Sequence, residues 1–195
     1  HITDCKISGS AQHGMKGAGT QENFVHNVTI EHTELYDSKA TGFDLVAGNN
    51  WVLRGNYVHD YGRGGGVTYG IFLKGGGKNG IIDGNIVDGK KQATTVGISF
   101  GGGLMGKQYL GKKADGSFVP EHENGVCMNN IVLNTDDAAY HANNASNCRY
   151  FNNLAWNCKD FQRQGSYPSD PVFSNNIIAG NTARGTSSSK NNAVP

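Results

Sequence analysis

The chain has 195 residues, with 17 Lys plus Arg against 16 Asp plus Glu and a formal charge of +1. Electrostatics therefore gives no reason to expect a nucleic-acid or membrane partner, and the length suits one well-cored domain rather than two. Glycine is abundant, 29 residues against 4 prolines, which forecasts frequent tight turns, and no apolar run approaches the roughly 18 residues that span a bilayer.

The first element in chain order is the strand-like run His1-Ile2-Thr3-Asp4-Cys5-Lys6-Ile7, a start without Met that is expected of a processed or truncated product. The same pattern returns without gaps at Thr29, Val52, Ile81, Val126, Arg149 and Val172. Its fifth position holds Cys5, Thr33, Asn56, Asn85, Asn130, Asn153 and Asn176, at spacings of 28, 23, 29, 45, 23 and 23 residues. The 45-residue interval is either two coils or one coil with a long loop. The second and seventh positions are apolar in nearly every copy and are expected to face inward. The fourth is Asp, His, Gly or Asn, and Gly and Asn are the residues that best tolerate left-handed backbone. Two short strands joined by a one-residue bend, followed by an inward Asn that bonds to the next coil, account for all three features.

About 15 residues into each unit a second motif recurs: HGMKG at His13, TGFDL at Thr41, YGIFL at Tyr69, VGISF at Val96, AAYHA at Ala138 and DFQRQ at Asp160. Strand alternation turns Met15, Phe43, Ile71, Ile98, Tyr140 and Phe161 to the core. Lys16, Asp44, Phe72, Ser99 and His141 then face outward. The predicted fold is an all-β right-handed parallel β-helix of about seven coils over residues 1–181, with a long loop at 102–124 and an incomplete last coil and polar tail at 182–195. Of the four cysteines, Cys5, Cys127 and Cys148 fall in inward columns, and no spacing resembles a zinc site.

These repeats, and above all YGIFLKGGGKNGIIDGNIVDG from Tyr69 followed by VGISFGGG from Val96, resemble the pectate-lyase-like right-handed β-helix superfamily. Within it they look most like the alginate lyase and chondroitinase B type of polysaccharide lyase, and like bacterial β-helix repeat proteins of unassigned function. The resemblance implies an extracellular or periplasmic protein that cleaves an acidic, uronate-containing polysaccharide by β-elimination. It makes Lys74 the base and allows a Ca²⁺ held by Asn and Glu side chains. It places the family's assisting Arg at Gly101, a departure from the pattern. A non-catalytic glycan-binding or structural β-helix, as in a surface protein or tailspike, is the alternative.

β-Elimination needs a base for the proton α to the carboxylate, and a cation or donors to stabilise the carbanion. Asp44, Lys74 and His141 share the outward face, although an adjacent Asp44 works against a neutral lysine base. His141 is a candidate proton donor. Lys16, Asp44, Phe72, Asn143 and Arg163 are candidate substrate contacts. At the end of the long loop, Glu121 and Glu123 are candidate Ca²⁺ ligands, and His122, which alternation turns the other way, is a candidate catalytic residue.

Overall fold

The computed structural model describes residues 1–90, 94–102, 110–159, 161–164, 171–179 and 189–190, with side chains excepted at 161–164, 178–179 and 189–190. Every described residue of regular structure lies in a strand, and the strands form four parallel sheets of eight, seven, six and five. Sheet A runs from Ile2–Thr3 to Ser189–Lys190 and sheet B from Lys6–Ser8 to Ile177–Ala179. Sheet C runs from Met15–Ala18 to Phe161–Gln164 and sheet D from Val25–His26 to Ala145–Ser146. As far as Ser146 each coil visits A, B, C and D in turn, and each strand pairs with its counterpart one coil away. The molecule is a parallel β-helix.

The register follows the repeat residue by residue. Ile2, Ile30, Leu53, Ile82, Cys127, Tyr150 and Phe173 stand opposite one another in sheet A, and all from Ile30 onward are buried. Leu35, Val58, Val87, Val132 and Ala155 form the buried row of sheet B. Ile82 pairs directly with Cys127, and Val87 with Val132, so the 45-residue interval is one coil with an excursion.

Each A–B bend is a single left-handed residue, from Asp4 (φ 53°) and His32 (φ 49°) through Gly55 and Gly84 to Asn129, Asn152 and Asn175. The Asn that follows turns inward. Asn85 Oδ1 accepts from both the backbone N and the Nδ2 of Asn56, each at 2.9 Å, and Asn130, Asn153 and Asn176 repeat the arrangement. The buried ladder thus satisfies backbone donors that the bend takes out of the sheets.

A second ladder, absent from the sequence reading, edges the D–A corner. Asn27, Asn50, Asn79, Asn124 and Asn147 are all left-handed, with φ between 53° and 58°. Successive amides donate to one another along the outside of the solenoid, at 3.0, 3.0, 3.4 and 2.7 Å.

Two expectations are corrected. The 102–124 loop is shorter at its far end, because His122–Glu123 is a strand of sheet D, paired with Gly77–Lys78 and Ala145–Ser146. Cys5 is exposed, with its thiol donating to the Thr3 carbonyl at 3.2 Å, while Cys127, Cys148 and Cys158 are buried thiols. Of 182–195, only Ser189–Lys190 is described, and it extends sheet A beside Phe173 and Ser174.

Candidate functional site

Sheet C carries the candidate chemistry. Its register sets Lys16 opposite Asp44, Asp44 opposite Phe72, Phe72 opposite Ser99, and Ser99 opposite His141. The expectation that this row faces solvent is corrected at all but its first member, for Asp44, Phe72, Ser99 and His141 are buried. A Cβ on Gly102 would run into the Phe72 ring, so the start of the excursion lies directly over it, and Tyr69 stacks on the same ring at 3.8 Å. Phe72 is a support for its neighbours and offers no ring face to a substrate.

The first three coils build a compact charged cluster on this face. Lys16 Nζ donates to Asp44 Oδ2 at 2.6 Å, Lys74 Nζ lies 3.0 Å from Asp44 Oδ1, and His13 Nε2 lies 3.4 Å from Asp44 Oδ2. Lys74 also rests over the Phe72 ring, 4.2 Å from its centroid, a cation–π contact that fixes the ammonium at the edge of the cover. The Asp44 side chain is 1% exposed, Lys74 12%, His13 24% and Lys16 46%, so the cluster grades from a buried carboxylate to an accessible amine. Burial pushes the Asp44 carboxyl upward, but the charge of Lys74 and the bonds from both lysines outweigh it and hold it below its ordinary value. Burial lowers the His13 imidazole, against the opposing pull of Asp44.

The other candidates do not join this cluster. His141 Nδ1 is 3.3 Å from Ser99 Oγ, three strand spacings from Asp44, or roughly 14 Å. Asn143 is buried beside Gly101. Gly101 has φ +79°, and a Cβ there would overlap the Asn143 carbonyl oxygen. The backbone therefore excludes an Arg at the position where the lyase pattern has one.

His122 is wholly buried, stacked on Phe100 at 4.7 Å, with Nε2 accepting from Gly80 N at 3.1 Å. Burial lowers its pKa to about 3. It is a neutral core imidazole on the inner side of sheet D, out of reach of a substrate on the face that carries Lys74. Glu121 is buried and accepts from Gly102 N at 2.9 Å, whereas Glu123 pairs with Lys78 at 2.8 Å. The two carboxylates thus have separate partners, and no group of three His, Cys, Asp or Glu side chains suited to a metal occurs among the described residues. Arg163 stands opposite Ala142 in the backbone register, and its side chain lies outside the described residues.

His13 is the member of the cluster that the sequence reading missed as a functional residue. It precedes the strand Met15–Ala18 on a turn whose carbonyl is held by Ser10 Oγ at 2.6 Å. Its only signal was its place at the head of the HGMKG copy.

Coils in strict parallel register, with a charged cluster on one outer sheet face, define a β-helical solenoid. The family model for the right-handed β-helix region matches residues 1–160, and the chain belongs to that family. Comparisons with curated proteins and with solved structures gave no significant match.

Proposed function

We propose that the Asp44 cluster binds an acidic, uronate-containing glycan and that the protein cleaves it by β-elimination. The observation that carries this reading is the surplus of positive charge: Lys16 and Lys74 converge on one carboxylate, and the more exposed amine faces outward. A uronate carboxylate placed between the lysines would have its charge neutralised, which acidifies the adjoining C–H and stabilises the carbanion that forms when the proton leaves. Neighbouring coils about 4.8 Å apart would let successive sugars lie along the helix axis. The family is shared by lyases, hydrolases and non-catalytic proteins, so fold alone does not choose among them.

The test is incubation with polygalacturonate, alginate and chondroitin sulfate, each with and without Ca²⁺, followed by ultraviolet absorbance of the unsaturated product. Lys16→Gln and Lys74→Gln should each weaken cleavage at least tenfold. Silence on all three glycans overturns the reading. A non-catalytic glycan-binding role is the second reading, favoured by Gly101, where the backbone shuts out the Arg of the lyase pattern. Binding of a glycan without unsaturated product would establish it.

A further inference from the structure

We infer that His13, rather than Lys74, takes the proton from the bound uronate, with Asp44 stabilising the imidazolium that forms and Lys16 and Lys74 neutralising the substrate carboxylate. This rests on the proposed uronate β-elimination site.

Three observations support the assignment. Lys74 is tied up as a cation partner: it is 3.0 Å from the Asp44 carboxylate and lies over the Phe72 ring, and both contacts suit an ammonium. An amine that makes both contacts as a cation has no lone pair to offer a substrate C–H. His13 differs. As a base it carries its ring hydrogen on Nδ1, which is enclosed and has no hydrogen-bond partner among the described residues, and keeps the Nε2 lone pair free. Its Nε2 is on the cluster side, 3.4 Å from Asp44 Oδ2 and within the reach of a ligand held by Lys16 and Lys74. Burial also keeps the imidazole neutral to lower pH than usual, the form in which a ring nitrogen can accept a proton. The charged groups facing it are Asp44 on the strand Phe43–Val46, Lys16 on Met15–Ala18 and Lys74 on Thr68–Lys74.

For a 4-linked uronate, His13 Nε2 takes the proton from C5. The C5–H electron pair forms the C4=C5 double bond, and the C4–O bond breaks. The departing oxygen takes a proton from water, and His13 returns its proton to solvent.

The test uses the whole chain with oligogalacturonate and oligomannuronate, with folding checked by circular dichroism. His13→Gln should lower kcat by about 10²- to 10⁴-fold, the usual contribution of a positioned general base, with KM changed only a few-fold. The acid limb of its kcat/KM profile should vanish. Lys74→Gln should instead raise KM and keep the limb. Asp44→Asn should move the limb to lower pH, because the carboxylate is what opposes the effect of burial on the ring. If Lys74→Gln abolishes kcat at unchanged KM while His13→Gln keeps its acid limb, Lys74 is the base and the inference falls while the site survives. If the wild-type chain cleaves neither oligomer and ¹⁵N resonances of the His13 ring do not shift on their addition, the inference and the site both fall.

Discussion

Two glycines with the same backbone angle occupy opposite surroundings. Gly65 and Gly101 both have φ +79°, but a Cβ on Gly65 would meet nothing within 4 Å, whereas one on Gly101 would overlap the Asn143 carbonyl. Gly65→Ala should therefore cost about 1 kcal/mol, the strain of a left-handed alanine, while Gly101→Ala should cost several times that, because backbone must move as well. Urea unfolding of the two variants separates strain from overlap. His122 is the other residue whose surroundings decide its behaviour. Its pKa falls from 6.5 unfolded to about 3 folded, so the unfolded chain binds the extra proton between those values. The stability this residue contributes is complete above pH 6.5 and is lost as pH falls toward 3. Between pH 6.5 and 4.5 the loss should be about 2–3 kcal/mol. In His122→Phe, which keeps a ring against Phe100, this part of the pH dependence should disappear from the unfolding midpoints. None of this was legible in the chain. Alternation suggested that His122 points away from its neighbours, but nothing local to His-Glu says that Phe100 waits on the other side.

The coil elements were far more legible than the site they carry. The columns headed by Ile2, Cys5 and Ile7 repeat because each coil meets the next in the same way, so inward apolar rows recur in every copy and the buried Asn ladder in every copy from Asn56 onward. Over Phe72 the outer face of sheet C is covered at Gly102, in a segment that occurs once, and a repeat cannot announce it. His13 lies in the turn ahead of a strand, where each coil is free to differ. The outer ladder is the instructive omission, since Asn27, Asn50, Asn79, Asn124 and Asn147 recur at 23, 29, 45 and 23 residues, in step with the inner one. The two ladders should respond differently to mutation. Asn130→Ala removes the acceptor of Asn85 N and Nδ2, at 2.9 and 3.0 Å; Nδ2 keeps the Leu53 carbonyl, but the buried Asn85 N loses its acceptor, which should cost about 2–4 kcal/mol. Asn79→Gly keeps the left-handed backbone and loses only exposed bonds, so its unfolding free energy should stay within about 1 kcal/mol of the wild type. Equal costs in chemical denaturation would mean that burial is not what distinguishes the ladders.

At the scale of the molecule, all 45 residues of the longest interval are absorbed without disturbing the sheets. The chain leaves after Phe100 in sheet C, re-enters at His122 in sheet D, and the A and B registers continue unbroken from Ile82 to Cys127 and from Val87 to Val132. A solenoid whose coils contact only their neighbours tolerates such an outgrowth at a corner. The D–A corner, on the other side of sheet D, holds a chemical clock. In an Asn-Gly pair the glycine nitrogen can attack the asparagine side-chain carbon and expel ammonia, turning the amide into a carboxylate with age. Asn79-Gly80 is such a pair on the outer ladder, but Gly80 N is already bonded to the buried His122 Nε2 at 3.1 Å. The reaction must wait until sheet D parts at this point. Conversion of Asn79 to Asp, followed by peptide mass spectrometry over weeks, should thus be slow in the native protein and accelerate in His122→Phe, so that ageing at one amide counts the openings of the coil beneath it.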